Sequence, residues 1–505
     1  MATSLVCIPA ELLEQISSGL AVRDLLSLCK SCKNLYSKTH PLLFRHVTIA
    51  WNVAQDYEKP PRITRLLEFI LRNRHYAQYI KRVDIDEIDY EDSRMLAEMW
   101  GNRTPLSLHL QEDESLATLV RDVISELCLP HSDKWYQGVV EDADLGAIIA
   151  LLLAQCTHLE RLKVDLNFIA PSTPWSPAHK WSRPGYNPWF SAMMRHAVSA
   201  PGGASRLSRF NKLTHFTVST LRVRNKHPLE LPKHIFFSSF YLPNITTLCL
   251  GRAIDHRRQE RLETAFGMLS APLWPLPNDP TPSRLTTLRL MNTSAPACTV
   301  EFILRQTPNL QSLVYDCKAP TGRVLVLPDL EQALDHVRAT LTRLVIRFDP
   351  GGSLSVAALV MGTLGSLSRL PALKNLEISL GLLFGQTVAP ESAPALSDVL
   401  PAGLKRLTIT DDLLEFFEFE KWRGEPTGAP LKDFFGGAWK SSTPLLKKFV
   451  LDLRRNGGVS KHWEQEGNRE ELRQLVKSQG IRCSVLWDAD RVPVNTLFRA
   501  SASGW

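Results

Sequence analysis

One short pattern returns nine times between residues 159 and 451: Leu-x-x-Leu-x-Leu, with other large apolar residues standing in for Leu. Its copies begin at Leu159, Leu213, Ile245, Leu285, Leu310, Leu341, Leu373, Leu404 and Leu446, and an earlier one at Ile80. The last two apolar residues of each copy alternate with polar ones, as in Thr287-Leu288-Arg289-Leu290. Alternation at period two marks a short strand with one face buried. From Leu213 onward successive copies start 25–42 residues apart, which leaves helix-length connectors between strands and points to a stack of similar units.

Proline precedes several copies, as in Thr307-Pro308-Asn309-Leu310 and Leu370-Pro371-Ala372-Leu373. It halts a preceding helix and feeds extended chain. Amphipathic spacing predicts helices over residues 63–74, 115–128, 144–156, 259–269, 300–306, 330–339 and 356–367. A last one runs through Leu472, Leu475 and Val476 to a strand at Ile481, Cys483 and Val485. This layout resembles the leucine-rich-repeat family, which implies an irregular α/β solenoid with a parallel sheet on its concave side. Nine copies joined by helix-length connectors favour it over an unrelated α/β domain with Leu-rich core strands. Residues 168–208 and 271–283 break the pattern and read as long loops. The first carries Trp175, Trp181, Tyr186, Trp189 and Phe190, which serve either as binding anchors or as packing against the first repeats.

The first fifty residues follow a different logic. Leu12, Leu13, Ile16 and Leu20 fall on one face of a helix, and Leu25, Leu26, Leu28 and Leu35 supply apolar faces for one or two more. Pro9 suits a helix start, Gly19 an ending, Asp24 a cap and Pro41 a stop. A unit of about 40 residues buries little of its own apolar surface and seeks a partner. The run Ile8-Pro9-Ala10-Glu11-Leu12-Leu13, through Asp24-Leu25-Leu26-Ser27-Leu28 to Pro41-Leu42-Leu43-Phe44-Arg45, resembles the F-box family. Ile8 replaces the usual Leu, and Leu35 and Ser31 stand where many members carry Trp and Val.

That resemblance implies a three-helix F-box over residues 1–50, a repeat domain over 51–490 and a tail over 491–505. It also implies docking onto a Skp adaptor, and through it a cullin scaffold, by Ile8, Pro9, Leu12, Leu13, Ile16, Leu20, Leu25 and Leu28. The pairing of F-box and repeats resembles fungal substrate receptors of ubiquitin ligases. They hold a protein target for ubiquitination and catalyse nothing themselves. The alternatives are a helical cap in place of the F-box, and a repeat scaffold with no role in ubiquitin delivery.

The remaining residues fit a non-catalytic role without a cofactor. Gly-rich phosphate loops, paired zinc-ligand clusters, His-Glu-x-x-His and Gly-x-Ser-x-Gly are all absent from the sequence. The net charge of +7 is dilute for 505 residues, so it does not argue for nucleic acid. Nine scattered cysteines and no apolar leader fit reduced thiols in the cytosol or nucleus. The longest apolar stretch, 145–154, is too short to cross a bilayer. Cys29-x-x-Cys32 lacks a second ligand pair and reads as core. The acidic run Asp84, Asp86, Glu87, Asp89, Glu91 and Asp92 reads as a solvated turn after a strand, and Arg252, His256, Arg257, Arg258 and Arg261 as a solvated helix face.

If the strands are as placed, residues flanking each apolar pair share the open face. They are Arg161, Lys163, Asp165, His215, Arg289, Met291, Asp316, Arg343, Val345, Arg347, Glu377, Arg406, Thr408, Lys448 and Asp452. Basic residues outnumber acidic ones, so Arg289, Arg343, Arg347, Arg406 and Lys448 are the candidate contacts for an acidic or phosphorylated target. The competing role for these charges is to keep an exposed sheet soluble.

Overall fold

The structure is a computed structural model that describes residues 8–52, 62–88, 113–166, 188–199, 208–219, 231–252, 274–318, 325–349, 360–385, 392–453 and 461–487, with short breaks at 18, 130, 142–143, 232 and within 412–424. The chain forms two compact units, residues 1–245 with 274–277, and residues 246–273 with 278–505.

The first unit opens with helices α1 (Ala10–Ser17), α2 (Val22–Ser31) and α3 (Lys33–Thr39). Leu13, Leu25 and Leu35 form their shared interior. The two nearby cysteines have separate places: Cys29 Sγ lies 3.1 Å from Thr39 Oγ1 in the interior, while Cys32 Sγ accepts the Leu35 N–H at the start of α3. A 3-10 turn over His40–Phe44 carries the chain onward. Its Phe44 ring stacks on Phe69 at 5.1 Å, and Tyr76 Oη sits 2.9 Å from His40 Nδ1.

Strand β1 (His46–Asn52) comes next and crosses the boundary expected at residue 50. It pairs in parallel with β2 (Arg82–Ile88), β2 with β3 (Arg161–Asp165), and β3 with β4 (His215–Ser219). The repeat pattern accounts for β2, β3 and β4. It also accounts for β1: Phe44-Arg45-His46-Val47-Thr48-Ile49 is one more copy with Phe in first place.

Helix α4 (Arg62–Arg72) buries Ile63, Leu67, Ile70 and Leu71, the i, i+4, i+7, i+8 set of one face. Helix α5 (Glu114–Glu126) starts at Asp113, whose carboxylate accepts the N–H groups of Ser115 and Leu116. Helix α6 (Leu145–Gln155) is apolar on every side and is buried along almost its whole length. Asp144 caps it by accepting from Gly146 N at 2.7 Å and Ala147 N at 3.3 Å, and also from Trp189 Nε1 at 3.0 Å. Asp144→Ala removes a cap worth about 1 kcal/mol and strands an indole N–H at a further cost of about 1–3 kcal/mol. The denaturation midpoint is expected to fall accordingly, while Asp144→Asn, which keeps an acceptor, restores most of it.

Residues 188–199 correct the expectation of a continuous loop over 168–208. They form helix α7 (Pro188–Ser199), with Phe190, Met193, Met194 and Ala197 buried at helical spacing. Pro188 occupies the first helical position, where its missing N–H costs nothing. Trp189 packs on Trp135 at 5.0 Å between ring centroids. The bare Gly138 makes room for it, since a Cβ there would fall 2.5 Å from the indole. These aromatics are therefore structural. Trp175, Trp181 and Tyr186 lie outside the described residues.

The second unit is a run of parallel strands: β5 (Thr247–Gly251), β6 (Thr287–Thr293), β7 (Ser312–Lys318), β8 (Arg343–Asp349), β9 (Asn375–Ser379), β10 (Arg406–Thr410), β11 (Lys448–Asp452) and β12 (Arg482–Leu486). Each pairs with the next so that Leu248, Leu288, Leu313, Leu344, Leu376, Leu407 and Phe449 align in a buried row, and the register shifts only between Leu290 and Thr293 at the end of β6. A repeated device holds that register. The carbonyl just before a strand accepts two successive N–H groups from the next strand, as Gln311 O does from Thr342 and Arg343 at 2.8 and 2.9 Å, and as Thr342, Lys374 and Lys405 do in turn. A slip of one residue would turn the leucine row to the opposite face.

Helices α8 (Ala297–Arg305), α9 (Leu327–Asp335) and α10 (Glu466–Ser478) lie between strands and bury one face each. The first two begin three residues earlier than the sequence pattern suggests. The helix expected over 356–367 is not formed at its C-terminal end. Val360–Met361 pair as extended chain with Leu325–Val326, and Gly362 and Gly365 take φ of 75° and 73°, values foreign to a right-handed helix. Residues 356–359 and the helix expected over 259–269 lie outside the described residues. No helix among the described residues is long and apolar enough to cross a membrane.

Candidate functional site

In the second unit the alternation of each strand places the residues between the leucines on the opposite face. Register then decides which of them meet. Arg343, Asn375, Arg406 and Lys448 align across β8, β9, β10 and β11. Two residues further along, Arg289, Val314, Val345, Glu377 and Thr408 form the next row. Arg347 lies two residues beyond Val345 on β8. It donates from Nε and Nη2 to Glu377 Oε1 at 2.9 and 2.6 Å, and both partners are largely buried, with side chains 24% and 17% exposed.

Arg343 as a whole residue is exposed. Burial, then the positive charge of Arg289, pull its pKa below the usual guanidinium value, and Arg347 and Arg406 add to this against the opposing pull of Glu377. Beneath the arginines lies an apolar floor of Met291, Val314 and Val345, with Cys249 packed against it. Arg289 Nε is buried over this floor with no hydrogen-bond partner. Among the described residues no carboxylate forms an ion pair with Arg289, Arg343 or Arg406. The five candidates named from sequence thus separate into four arginines on neighbouring strands, of which Arg347 pairs with Glu377 and lies opposite Asp316 on β7, with Lys448 beside Arg406. Glu377 as the counter-ion of Arg347, and the floor, needed the structure.

On the first unit's strands Arg161 aligns with Arg82 and His215, and Lys163 with Asp84 and Thr217. Asp84 lies within β2 and is 8% exposed, which corrects its assignment to a solvated turn. Burial alone would raise its carboxyl pKa. Hydrogen bonds from His46 (3.0 Å) and Arg82 (2.7 Å) outweigh that and hold it below the ordinary value. Asp89, Glu91 and Asp92 lie outside the described residues, as do His256, Arg257, Arg258 and Arg261.

A second surface lies on α1 to α3. Leu12, Ile16, Val22, Leu26 and Tyr36 are 43–61% exposed. Among the described residues seven large hydrophobic side chains are exposed, and these are five of them. The concentration matters because isolated exposed leucines are ordinary, whereas a group of them marks a contact surface. Of the residues named from sequence, Pro9, Leu12 and Ile16 are exposed and Ile8, Leu20 and Leu28 half-buried, while Leu13 and Leu25 point into the interior. Val22 was not named, and Leu26, named as an apolar helix position, was not among the docking residues, although the two sit one turn apart on α2.

No protein-family model matches the chain, and no curated protein matches it either. Solved structures do. A leucine-rich-repeat-containing protein, LegL7 from Legionella pneumophila, is similar over 66% of this chain and 86% of its own, at 15% identity and a TM-score of 0.30. The yeast complex of Rad7 and Elc1 is similar over 93% of this chain and 97% of that one, at 12% identity and a TM-score of 0.30. At that level neither assigns a role to any residue here.

Proposed function

We propose that this chain is a substrate receptor of a Skp–cullin-type ubiquitin ligase: its N-terminal helices dock the Skp adaptor, and its strand face holds a protein target. The observation that carries the reading is the apolar surface on α1–α3. Those helices already have an interior in Leu13, Leu25 and Leu35, so Leu12, Ile16, Val22, Leu26 and Tyr36 are left over for a partner. The sequence resemblance to the F-box family supplies the kind of partner. The chain catalyses nothing on this account and uses no cofactor. It raises the effective concentration of target lysines near a charged ubiquitin carried by other subunits.

Mixing the purified full-length chain with a purified Skp adaptor tests this directly. A stable complex on gel filtration, able to recruit a cullin, is expected. Absence of a complex with a folded chain reduces the three helices to a cap, and a complex that never supports ubiquitination of any bound protein leaves a scaffold.

A further inference from the structure

We propose that the rim of the second unit from which β9 to β12 begin is a docking surface for an anionic membrane. The inference goes beyond the receptor reading and does not depend on it.

The net charge of +7, dilute over 505 residues, is concentrated at this rim. Residues 371–375, 401–406, 444–448 and 479–482 lead into the four strands, and they hold Lys374, Lys405, Arg406, Lys447, Lys448 and Arg482 but no Asp or Glu. Lys448 is half-buried and the other five are exposed. Among the described residues none of the six forms an ion pair. Carboxylates lie at the other ends of the strands: Asp349 closes β8, Asp411 follows β10 and Asp452 closes β11. A sheet charged for solubility alone has both signs interspersed, whereas here they are parted, one sign to each rim.

The backbone fixes the spacing of the cations. Arg406, Lys448 and Arg482 share one row of the register. Lys374 O accepts the N–H of Lys405 at 2.7 Å and Lys405 O that of Lys447 at 2.9 Å, so the lysines that precede the strands form a second row. Neighbouring strands lie about 4.8 Å apart, and like charges repeat at that interval along both rows. They repel one another. A layer of negative headgroups relieves the repulsion without matching any one cation to any one anion.

Leu445 decides between a bilayer and other polyanions. It is 48% exposed in the turn before Lys447, while the core residue of this copy is its neighbour Leu446, at 4%. Ala372 and Gly403 hold the same place in the two preceding copies. A leucine exposed here gains by entering an apolar medium. Lys405 and Lys447 then sit at the level of the headgroups, the arrangement of an apolar anchor flanked by cations that suits a membrane interface. Nucleic acid offers no such medium, and the four segments carry no aromatic ring for a base to stack on.

The test is co-sedimentation of the full-length chain with vesicles of phosphatidylcholine, alone or with phosphatidylserine at the fraction of a cytoplasmic leaflet. Binding to the second kind only is expected, and it should fall with added salt, since each cation near an anionic leaflet strengthens partitioning by about fivefold. Lys374→Gln, Lys405→Gln and Lys447→Gln together should weaken it about 100-fold. The same three positions changed to Arg should bind as wild type does, because a fluid headgroup layer reads charge rather than donor geometry. Leu445→Ser should weaken binding several-fold, and the part it removes should not respond to salt. All four side chains are exposed, so unfolding midpoints unchanged from wild type are expected and separate lost binding from lost folding. Poly-glutamate and RNA, single- and double-stranded, are measured in parallel at equal charge concentration. Binding to either as tight as to the vesicles would assign the rim to an acidic protein or to nucleic acid. Competition by inorganic phosphate beyond its ionic strength would make it a site for the free anion. Each of these results overturns the membrane reading, as do equal binding to both vesicles and binding untouched by the three Gln substitutions or by Leu445→Ser.

Discussion

A Leu12→Asp, Ile16→Asp variant is expected to lose adaptor binding by roughly 100-fold or more while its unfolding midpoint stays close to wild type. Both side chains are more than half exposed, at 52% and 53%, so the folded chain gives up little packing when they change. In a complex the same two side chains would be buried. Covering each aliphatic group contributes about 1.5–3 kcal/mol, and two desolvated carboxylates at the contact add a penalty in the same direction. Leu13→Ala is the matching opposite. Leu13 is 1% exposed, so its truncation should cost the helices about 2–5 kcal/mol. It should weaken binding only through unfolding, with affinity recovering at lower temperature. If Leu12→Asp, Ile16→Asp binds the adaptor as wild type does, the exposed face is not the docking surface. Adjacent leucines with opposite phenotypes would instead establish that α1 has one side for the fold and one for a partner.

Much of the fold was readable because the repeat writes strand positions directly into the sequence. Leu288 and Leu290, like Leu407 and Ile409, fix which residues point inward, and a common parallel register carries that assignment from strand to strand. The arginine cluster was legible for the same reason: Arg343, Arg406 and Lys448 hold the same place in three copies, and that is enough to put them in one row. The apolar floor was not. Val314 and Val345 sit at nominally outward positions and are nonetheless 2% exposed, packed with Met291 in one buried cluster that local alternation does not reveal. Strand β1 went unnoticed because Phe44 opens its copy and Pro41 suggested an ending. Helix α7 was hidden by a Pro- and Trp-rich context that reads as loop, although Phe190, Met193, Met194 and Ala197 have helical spacing. At residues 360–361 the apolar spacing suggested a helix, and two glycines with positive φ decided otherwise. On α1–α3 the spacing found the helices but could not say which of Leu12 and Leu13 faced out, since both lie near the edge of one apolar stripe.

The largest single-residue loss of stability in the second unit is expected at Gly385. Its φ is 76°, and a Cβ there would fall 2.4 Å from the carbonyl oxygen of Gly362. Gly385 donates its N–H to Gly381 O, closing the short helix Leu380–Phe384 that follows β9 without a break. An alanine must therefore either leave the left-handed region and surrender that bond, or push away a backbone that is itself pinned, since Gly362 has φ of 75° and no room for a Cβ against Pro328. Gly480 provides the control: φ is 78° and nothing lies within 4 Å of its would-be Cβ. Gly480→Ala is expected to cost about 1–2 kcal/mol, the conformational penalty alone. Gly385 has ψ of 174° as well, a backbone region open essentially to glycine alone, so Gly385→Ala adds a backbone collision to a conformational penalty and should cost about 3 kcal/mol or more. Urea denaturation of the two variants beside wild type separates the contributions. Equal midpoints would show that the two segments part easily, and a much lower one for Gly385→Ala would show that neighbouring repeats are held at a distance only glycine permits.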